Sequence, residues 1–381
     1  MNHPESHFFD FTPQTLKAWC ADHAMKPFRA KQILEWVYEK NVVDPAAMTN
    51  LSNTDRSILQ QEMVFLSGPT VAHQRATDGT QKLLIEWPDD LDSAATNAAE
   101  AGVDHASRLP IIGQDMPYSD TARQTECVMI PAVDSTRRTA CISSQVGCPV
   151  GCTFCATGIG GLDGNLSAGR IIEQVWRLNQ LPRVERITNV VFMGMGEPLA
   201  NFQPVMHAVS TIAAPWGLGI SARKITVSTV GMHKAIEKMA DELDLPVTLA
   251  LSLHAPNDTL RRELIPWAEF TSIDQLVESC TKWFTKTGRE ITLEYILLGG
   301  VNDLPEHAEQ LASVAKRLRA NINLIRYNEV ESLSFNRPQT EDVHRFQVIL
   351  RERGANVHIR ASRGRDIAAA CGQLRHEQPS A

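Results

Sequence analysis

Long apolar runs are missing from this 381-residue chain, and nothing approaches the length of a bilayer span. Met1 to Asp10 also lacks the basic start and apolar middle of a secretory leader. Both absences point to a cytoplasmic protein with no membrane span. Positive charge is short as well, with a formal net charge of −7. That balance argues weakly against a nucleic-acid partner, because phosphate binding calls for a positive footprint. The deficit is local: residues 88–124 carry Asp89, Asp90, Asp92, Glu100, Asp104, Asp115 and Asp120 against Arg108 and Arg123, a net of −5. Elsewhere Arg137 with Arg138, Arg351 with Arg353, and Arg360, Arg363 and Arg365 allow either a basic face or an ordinary solvated surface.

The composition, 43% hydrophobic and 21% charged, is that of a globular protein with room for one large domain and a small one. A chain this long and this hydrophobic has no need of disulfide staples, so its eight cysteines read as metal-bound, reactive or core thiols. The most informative shortage is of a fourth ligand. Cys148, Cys152 and Cys155 form a C-x-x-x-C-x-x-C run, and no second C-x-x-C pair exists. A closed structural zinc site wants four ligands, usually as two separated pairs. Three thiolates instead suit three corners of a 4Fe–4S cube, leaving one iron open to a small molecule. The spacing favours iron–sulfur, with zinc as the alternative.

Residues 12–62 read as helical. Thr12-Pro13 is a cap followed by proline, and Ala30, Ile33, Leu34 and Val37 recur at helical spacing, with Trp19, Phe28 and Trp36 expected in this bundle's core. Residues 71–87 read as a hairpin turning at Asp78-Gly79. From Thr139 onward six strand-like runs alternate with helical stretches, beginning at Thr139, Asn189, Lys224, Val247, Glu290 and Asn321. Six such repeats specify a parallel sheet with right-handed crossovers, too few to close an eight-stranded barrel. The expected fold is therefore α/β, a partial (βα)6 barrel with a small helical N-terminal accessory domain. The boundaries fall at 1–70 for that domain, 71–133 for a hairpin linker with the acidic insertion 88–124, 134–362 for the barrel and 363–381 for a C-terminal segment. In such folds the chemistry gathers at the C-terminal ends of the strands. There stand Gly194 to Glu197, Ser228, Ser252 with His254, and Asn328, each of which alone would pass for a cap or turn residue.

The cysteine loop with Phe154 before its last cysteine, and Gly194 to Pro198 on the next strand, resemble the radical S-adenosylmethionine superfamily. More closely, Cys141 to Cys148, Phe192 to Leu199, Ser252 to His254, Gly300 to Asp303 and Arg363 to Gly372 resemble the RlmN family, as does Phe28 to Ile33. The likeness covers nearly the whole chain. It implies an enzyme that methylates carbon 2 of adenosine in 23S ribosomal RNA and transfer RNA, with a 4Fe–4S cluster on Cys148, Cys152 and Cys155. S-adenosylmethionine contacts fall by resemblance on Gly196, Glu197, Ser228, Ser252, Leu253, His254 and Asn328. Cys371 becomes the methyl-carrying cysteine, Cys141 the partner of its transient disulfide, and Glu126 the proton acceptor.

An adenine ring carbon is too weak a nucleophile to attack a sulfonium methyl, so the methyl is staged on a protein thiolate. A second S-adenosylmethionine, cleaved by one electron, then activates it, which makes two per turnover. An electron donor such as flavodoxin or ferredoxin is expected, and radical chemistry on a large RNA gives no reason to expect a dimer, so the expectation is a monomer. Arg326 departs from the family, where a proline is common, and the acidic insertion before Glu126 is longer than usual. A sister family that methylates carbon 8 shares the cluster and both cysteines. A non-catalytic RNA-binding protein with zinc on Cys148, Cys152, Cys155 and Cys141 is the alternative from another class. By themselves Cys371 reads as a core cysteine on a small-residue helix, and Cys20 and Cys280 as core.

Overall fold

A computed structural model describes residues 1–89, 123–133 and 135–374. Most of the acidic insertion, residues 90–122, and the last part of the C-terminal segment, 375–381, lie outside the described residues.

The N-terminal helices are α1 (Pro13–Asp22), α2 (Arg29–Leu34), which runs on as a π-turn to Glu39, and α3 (Asn53–Glu62). Thr12 caps α1, its hydroxyl accepting from the Thr15 N–H, and Ser52 caps α3 in the same way through Asp55. Ala30, Ile33, Leu34 and Val37 fill the inward stripe, and Trp19 is buried beside them. Phe28 is not in that core. It is 54% exposed, with the Arg29 guanidinium 5.0 Å from its ring, because the helical stripe already occupies the inside. Trp36 is only half-buried, beneath the Lys40 ammonium at 3.6 Å.

The chain then forms a hairpin, β1 (Thr70–Arg75) and β2 (Gln81–Glu86), followed by β3 (Gln124–Pro131) and β4 (Arg138–Cys141). A second small hairpin, β5 (Gln145–Gly147) and β6 (Leu162–Asn165), leads into α4 (Ala168–Asn179). Regular alternation follows: β7 (Asn189–Phe192), α5 (Phe202–Ala213), β8 (Ile225–Thr229), α6 (His233–Glu242) and β9 (Thr248–Ser252). After α7 (Asp258–Leu264) and α8 (Ile273–Thr287) come β10 (Ile291–Leu297), α9 (Pro305–Lys316), β11 (Ala320–Arg326), α10 (Thr340–Glu352) and β12 (Asn356–Arg360).

Ten strands make one open sheet in the order β1-β2-β3-β4-β7-β8-β9-β10-β11-β12. From β4 to β12 every pairing is parallel, and β1 to β4 pair antiparallel. The hairpin is thus no detached linker but an extension of the barrel sheet. The parallel part holds seven strands rather than six. The extra one, β12, is an edge strand with only Val357 buried, so its residues carry little apolar signal.

The C-terminal segment bridges the open side. Its Gly364 N–H donates to Asp78 Oδ2 at 3.1 Å and its Asp366 accepts from Thr77 N–H at 2.9 Å, both at the β1–β2 turn. On the far side Asn328 donates to the Cys371 carbonyl at 3.4 Å and Gln373 to the Glu329 carbonyl at 3.1 Å. Helix α4 joins the barrel to the N-terminal bundle. Ile171, Ile172 and Val175 are wholly buried, each contributing about 2 kcal/mol, and Trp176 Nε1 donates to the Val37 carbonyl at 3.1 Å.

Candidate active site

The cysteine run is the tip of the β5–β6 hairpin. Gly147 turns into it at φ +72°, where a Cβ would sit 2.0 Å from the Gly161 carbonyl oxygen, so only glycine fits. The loop closes where Cys148 N–H donates to that same oxygen at 2.8 Å. Cys148, Cys152 and Cys155 are half-buried free thiols packed against an apolar cluster containing Val150, Phe154, Val230, Leu264 and Tyr327. Burial pushes the Cys148 thiol up to about 12, and the charges of Glu197 and Cys155 add to it. Cys152 and Cys155 are raised too, by burial first, and Cys152 further by the other two thiols.

Among the described residues no three His, Cys, Asp or Glu side chains close on one point as the ligands of a single metal ion do. Three thiols on one short loop suit a cube with one iron per cysteine.

At the end of β7, Gly196 has φ +98°, and a Cβ there would meet Gln145 Cβ at 2.6 Å. Glu197 is buried, and its two oxygens accept the N–H groups of Leu199 at 2.9 Å and Val230 at 2.8 Å. Burial still raises its carboxyl to about 6. Glu197 thus ties the β7 end to the β8 end and keeps spare lone pairs for a cationic ligand. Ser228 and Ser252 come together across β8 and β9, with oxygens 3.3 Å apart. Leu253 is different: its side chain is wholly within the main core, which leaves only its backbone for a ligand.

His254 takes a left-handed φ of +57°. Its Nδ1 accepts the Ile296 N–H at 3.1 Å, and its ring meets Phe154 edge-on at 5.1 Å. Burial first, then Arg261, lowers it to about 3, so the imidazole is neutral with Nε2 as donor. The sharp backbone at His254 is held by Asn302, which donates to its carbonyl at 2.8 Å. Asn328 is buried, with Arg337 donating to its Oδ1 at 3.2 Å.

Cys371 lies in a turn after Ala368, which has φ +48°, and not on a helix. It is half-exposed. The Gly372 carbonyl accepts the Ala156 N–H at 2.9 Å, fastening this turn to the cysteine loop. Cys141 is buried with Val128, Met195 and Ala369; burial first, then Cys371, raises it to about 12. The structure therefore brings the two distant cysteines together beside the cluster loop.

Glu126, on β3, faces the same side as Val128 and pairs with Lys82 Nζ at 2.5 Å, both side chains being 9% exposed. Lys82 also donates to the Ala368 carbonyl at 3.4 Å, so one buried ammonium joins Glu126 to the turn carrying Cys371. Sequence reasoning missed Lys82, whose signal is a lone lysine in the apolar strand Lys82-Leu83-Leu84-Ile85. It also missed Arg360 as a member of the site. Burial opposes the Arg360 charge, but Cys371 and Glu294 outweigh it and hold the guanidinium above its usual value, with Glu294 at 3.3 Å.

Residues 7–65 match the family described as Ribosomal RNA large subunit methyltransferase N-terminal domain, and residues 142–315 the Radical SAM superfamily. A curated relative from Rhodopirellula baltica, named Probable dual-specificity RNA methyltransferase RlmN, is 38% identical over 98% of this chain and 92% of its own length. Another from Dichelobacter nodosus, named Dual-specificity RNA methyltransferase RlmN, is 40% identical over 96% and 93%. A crystal structure of a radical SAM methyltransferase from Sphaerobacter thermophilus matches with a TM-score of 0.85 at 37% identity, covering 98% of this chain and 100% of that one.

Proposed function

This chain belongs to the RlmN family of radical S-adenosylmethionine RNA methyltransferases, and accordingly we propose that it methylates carbon 2 of adenosine in 23S ribosomal RNA and in transfer RNA. Membership brings with it a 4Fe–4S cluster and S-adenosylmethionine. The observation that carries the reading is the turn bearing Cys371, which is bonded to the cysteine loop through Gly372 and Ala156 at 2.9 Å and packs against Cys141 through Ala369.

Cys148, Cys152 and Cys155 hold the cluster, and Gly196, Glu197, Ser228, Ser252, the Leu253 backbone, His254 and Asn328 line the S-adenosylmethionine site. When bound, the cluster supplies the one electron that cleaves S-adenosylmethionine and starts radical chemistry. Cys371 as thiolate accepts a methyl group by displacement from one S-adenosylmethionine, and a second is consumed in activating that methyl. Glu126, held in place by Lys82, removes the proton from the ring carbon under attack. Cys141 as thiolate then attacks the Cys371 sulfur; the disulfide forms as the bond from that sulfur to the transferred carbon breaks, the unpaired electron leaves to the electron carrier, and the released carbon takes up a proton as the methyl group. The target base is extruded into the barrel mouth, since an in-stack carbon 2 is out of reach.

Residues 1–70 serve as an accessory RNA-binding domain and 363–381 as the carrier segment. Among the described residues no helix is long and apolar enough to cross a membrane. The reading is of a monomer in the cytoplasm, reduced by a flavodoxin or ferredoxin. Incubation of the reconstituted enzyme with RNA and methyl-labelled S-adenosylmethionine, followed by nucleoside mass spectrometry, is expected to yield 2-methyladenosine. A product of 8-methyladenosine would overturn the choice of carbon.

A further inference from the structure

A row of polar side chains crosses the inner wall of the sheet. Leu251 and Leu253 on either side of Ser252, Leu293 and Tyr295 around Glu294, and Ile322 and Leu324 around Asn323 all lie in the main core under the helices. Strand side chains alternate, so Ser252, Glu294 and Asn323 face the other way, into the barrel mouth. Register sets Ser252 beside Glu294 and Glu294 beside Asn323. Ser228 joins the row at one end, 3.3 Å from Ser252. Arg360, the last residue of β12, joins it at the other, with Nη1 3.3 Å from Glu294 Oε2, while Asn323 donates to Glu294 Oε1 at 3.0 Å.

The row ends against the cysteine pair. Arg360 Nη1 also lies 3.7 Å from Met193 Sδ, and Met193 packs on the buried group that contains Cys141 and, from the turn bearing Cys371, Ala369. Glu294 is buried, and it fixes one nitrogen of the guanidinium. Among the described residues nothing accepts from Arg360 Nε or Nη2, and the side chain is 33% exposed, so a held guanidinium keeps free N–H groups at the mouth. A phosphate calls for uncompensated positive charge. Here Glu294 cancels the charge, and what remains is a directed donor suited to a neutral acceptor.

We infer that Arg360, positioned by Glu294 and Asn323, donates a hydrogen bond to N1 of the extruded adenine and so selects adenosine. This rests on the RNA-methyltransferase reading and deepens it. A base entering a pocket leads with the edge remote from its ribose, and on adenine that edge carries N1, the neighbour of carbon 2. Adenine N1 is an acceptor. Guanine and hypoxanthine carry an N1–H there, and a guanidinium can only donate. An adenine held this way brings carbon 2, rather than the remote carbon 8, to the cysteines beside Met193.

The test is the affinity of the cluster-loaded, unreduced enzyme, which does not turn over, for a transfer-RNA transcript. The transcript carries adenosine, 1-deazaadenosine or 3-deazaadenosine at the position that the enzyme methylates. A hydrogen bond from a charged donor is worth about tenfold or more in affinity, so wild type is expected to bind the 1-deaza transcript weaker than the other two by that factor. Arg360→Met is expected to bind all three alike. That variant leaves Glu294 unpaired in the interior, so Arg360→Met with Glu294→Gln is measured beside it, with the same expectation. A merely structural role for Arg360 would weaken all three transcripts and keep the preference among them, which overturns the contact. Wild type with no preference between adenosine and 1-deazaadenosine overturns it as well. Discrimination against 3-deazaadenosine in its place overturns the choice of N1. Wild type that binds none of the transcripts overturns the RNA reading itself.

Discussion

Among single residues, the environment of each cysteine separates roles that composition cannot. Cys20 and Cys280 are fully buried in the main core, as their helical settings lead one to expect. Cys371 reads as another core thiol by its small neighbours, yet its turn leaves it half-exposed, and the residue after it is bonded to the cysteine loop. If Cys371 is the methyl carrier as proposed, Cys371→Ala lowers RNA methylation roughly a thousandfold or more while iron and sulfide content stay at wild-type levels. Retained methylation would show that the methyl travels by another route. Cys141→Ala stops the reaction later. It is expected to accumulate RNA covalently joined to protein, seen as labelled RNA that migrates with the polypeptide in a denaturing gel and is absent from Cys371→Ala.

Among the helices and strands, α4 couples the N-terminal bundle to the site. One face of it carries Glu173, whose oxygens meet His7 Nε2 at 3.0 Å, Arg177 Nη2 at 2.6 Å and the Ser67 hydroxyl at 2.8 Å, all in the interior. The next residue, Gln174, bonds both the N–H and the carbonyl of Ser143 at 2.9 Å, and the Ser143 hydroxyl accepts the Met195 N–H at 2.9 Å. A displaced α4 would therefore disturb the β4 and β7 strand ends. Glu173→Gln leaves His7 and Arg177 without their shared counter-charge and is expected to cost about 3–5 kcal/mol, read as a lower urea midpoint. A midpoint equal to wild type would mean that the network is not what docks the bundle. The helices and strands of this region were legible from periodicity and caps, whereas the edge strand β12 was not. An exposed strand has no buried face to impose an apolar alternation.

Across the entire chain, the same buried network sets a pH window for stability. Burial alone would raise Glu173, but Arg177, His7 and the Ser67 N–H outweigh it and bring the carboxyl from 4.5 to about 2. A depressed carboxylate stabilises the fold above its ordinary value, so about 3 kcal/mol is expected to disappear as the pH falls from 4.5 towards 2. His7 runs the other way. Burial lowers it, but Asp10 and Glu173 raise it above 6.5, so its contribution is complete below that value and is lost as the pH climbs through the raised one. Thermal melts across pH should show the acid-side loss in wild type and lack it in Glu173→Gln; an identical acid limb in both would exclude Glu173 as its source. Linear pattern was enough for the class of fold and for putting the three-cysteine loop and the glycines and serines at strand ends, because loop spacing, turn chemistry and strand–helix alternation are local. It did not put Phe28 at the surface, extend the sheet through the hairpin, or set Lys82 against Glu126. Long-range packing carried Cys371 across the open side of the sheet, since the tie between 363–374 and residues 77–82 joins parts of the chain nearly three hundred positions apart, which no local pattern records.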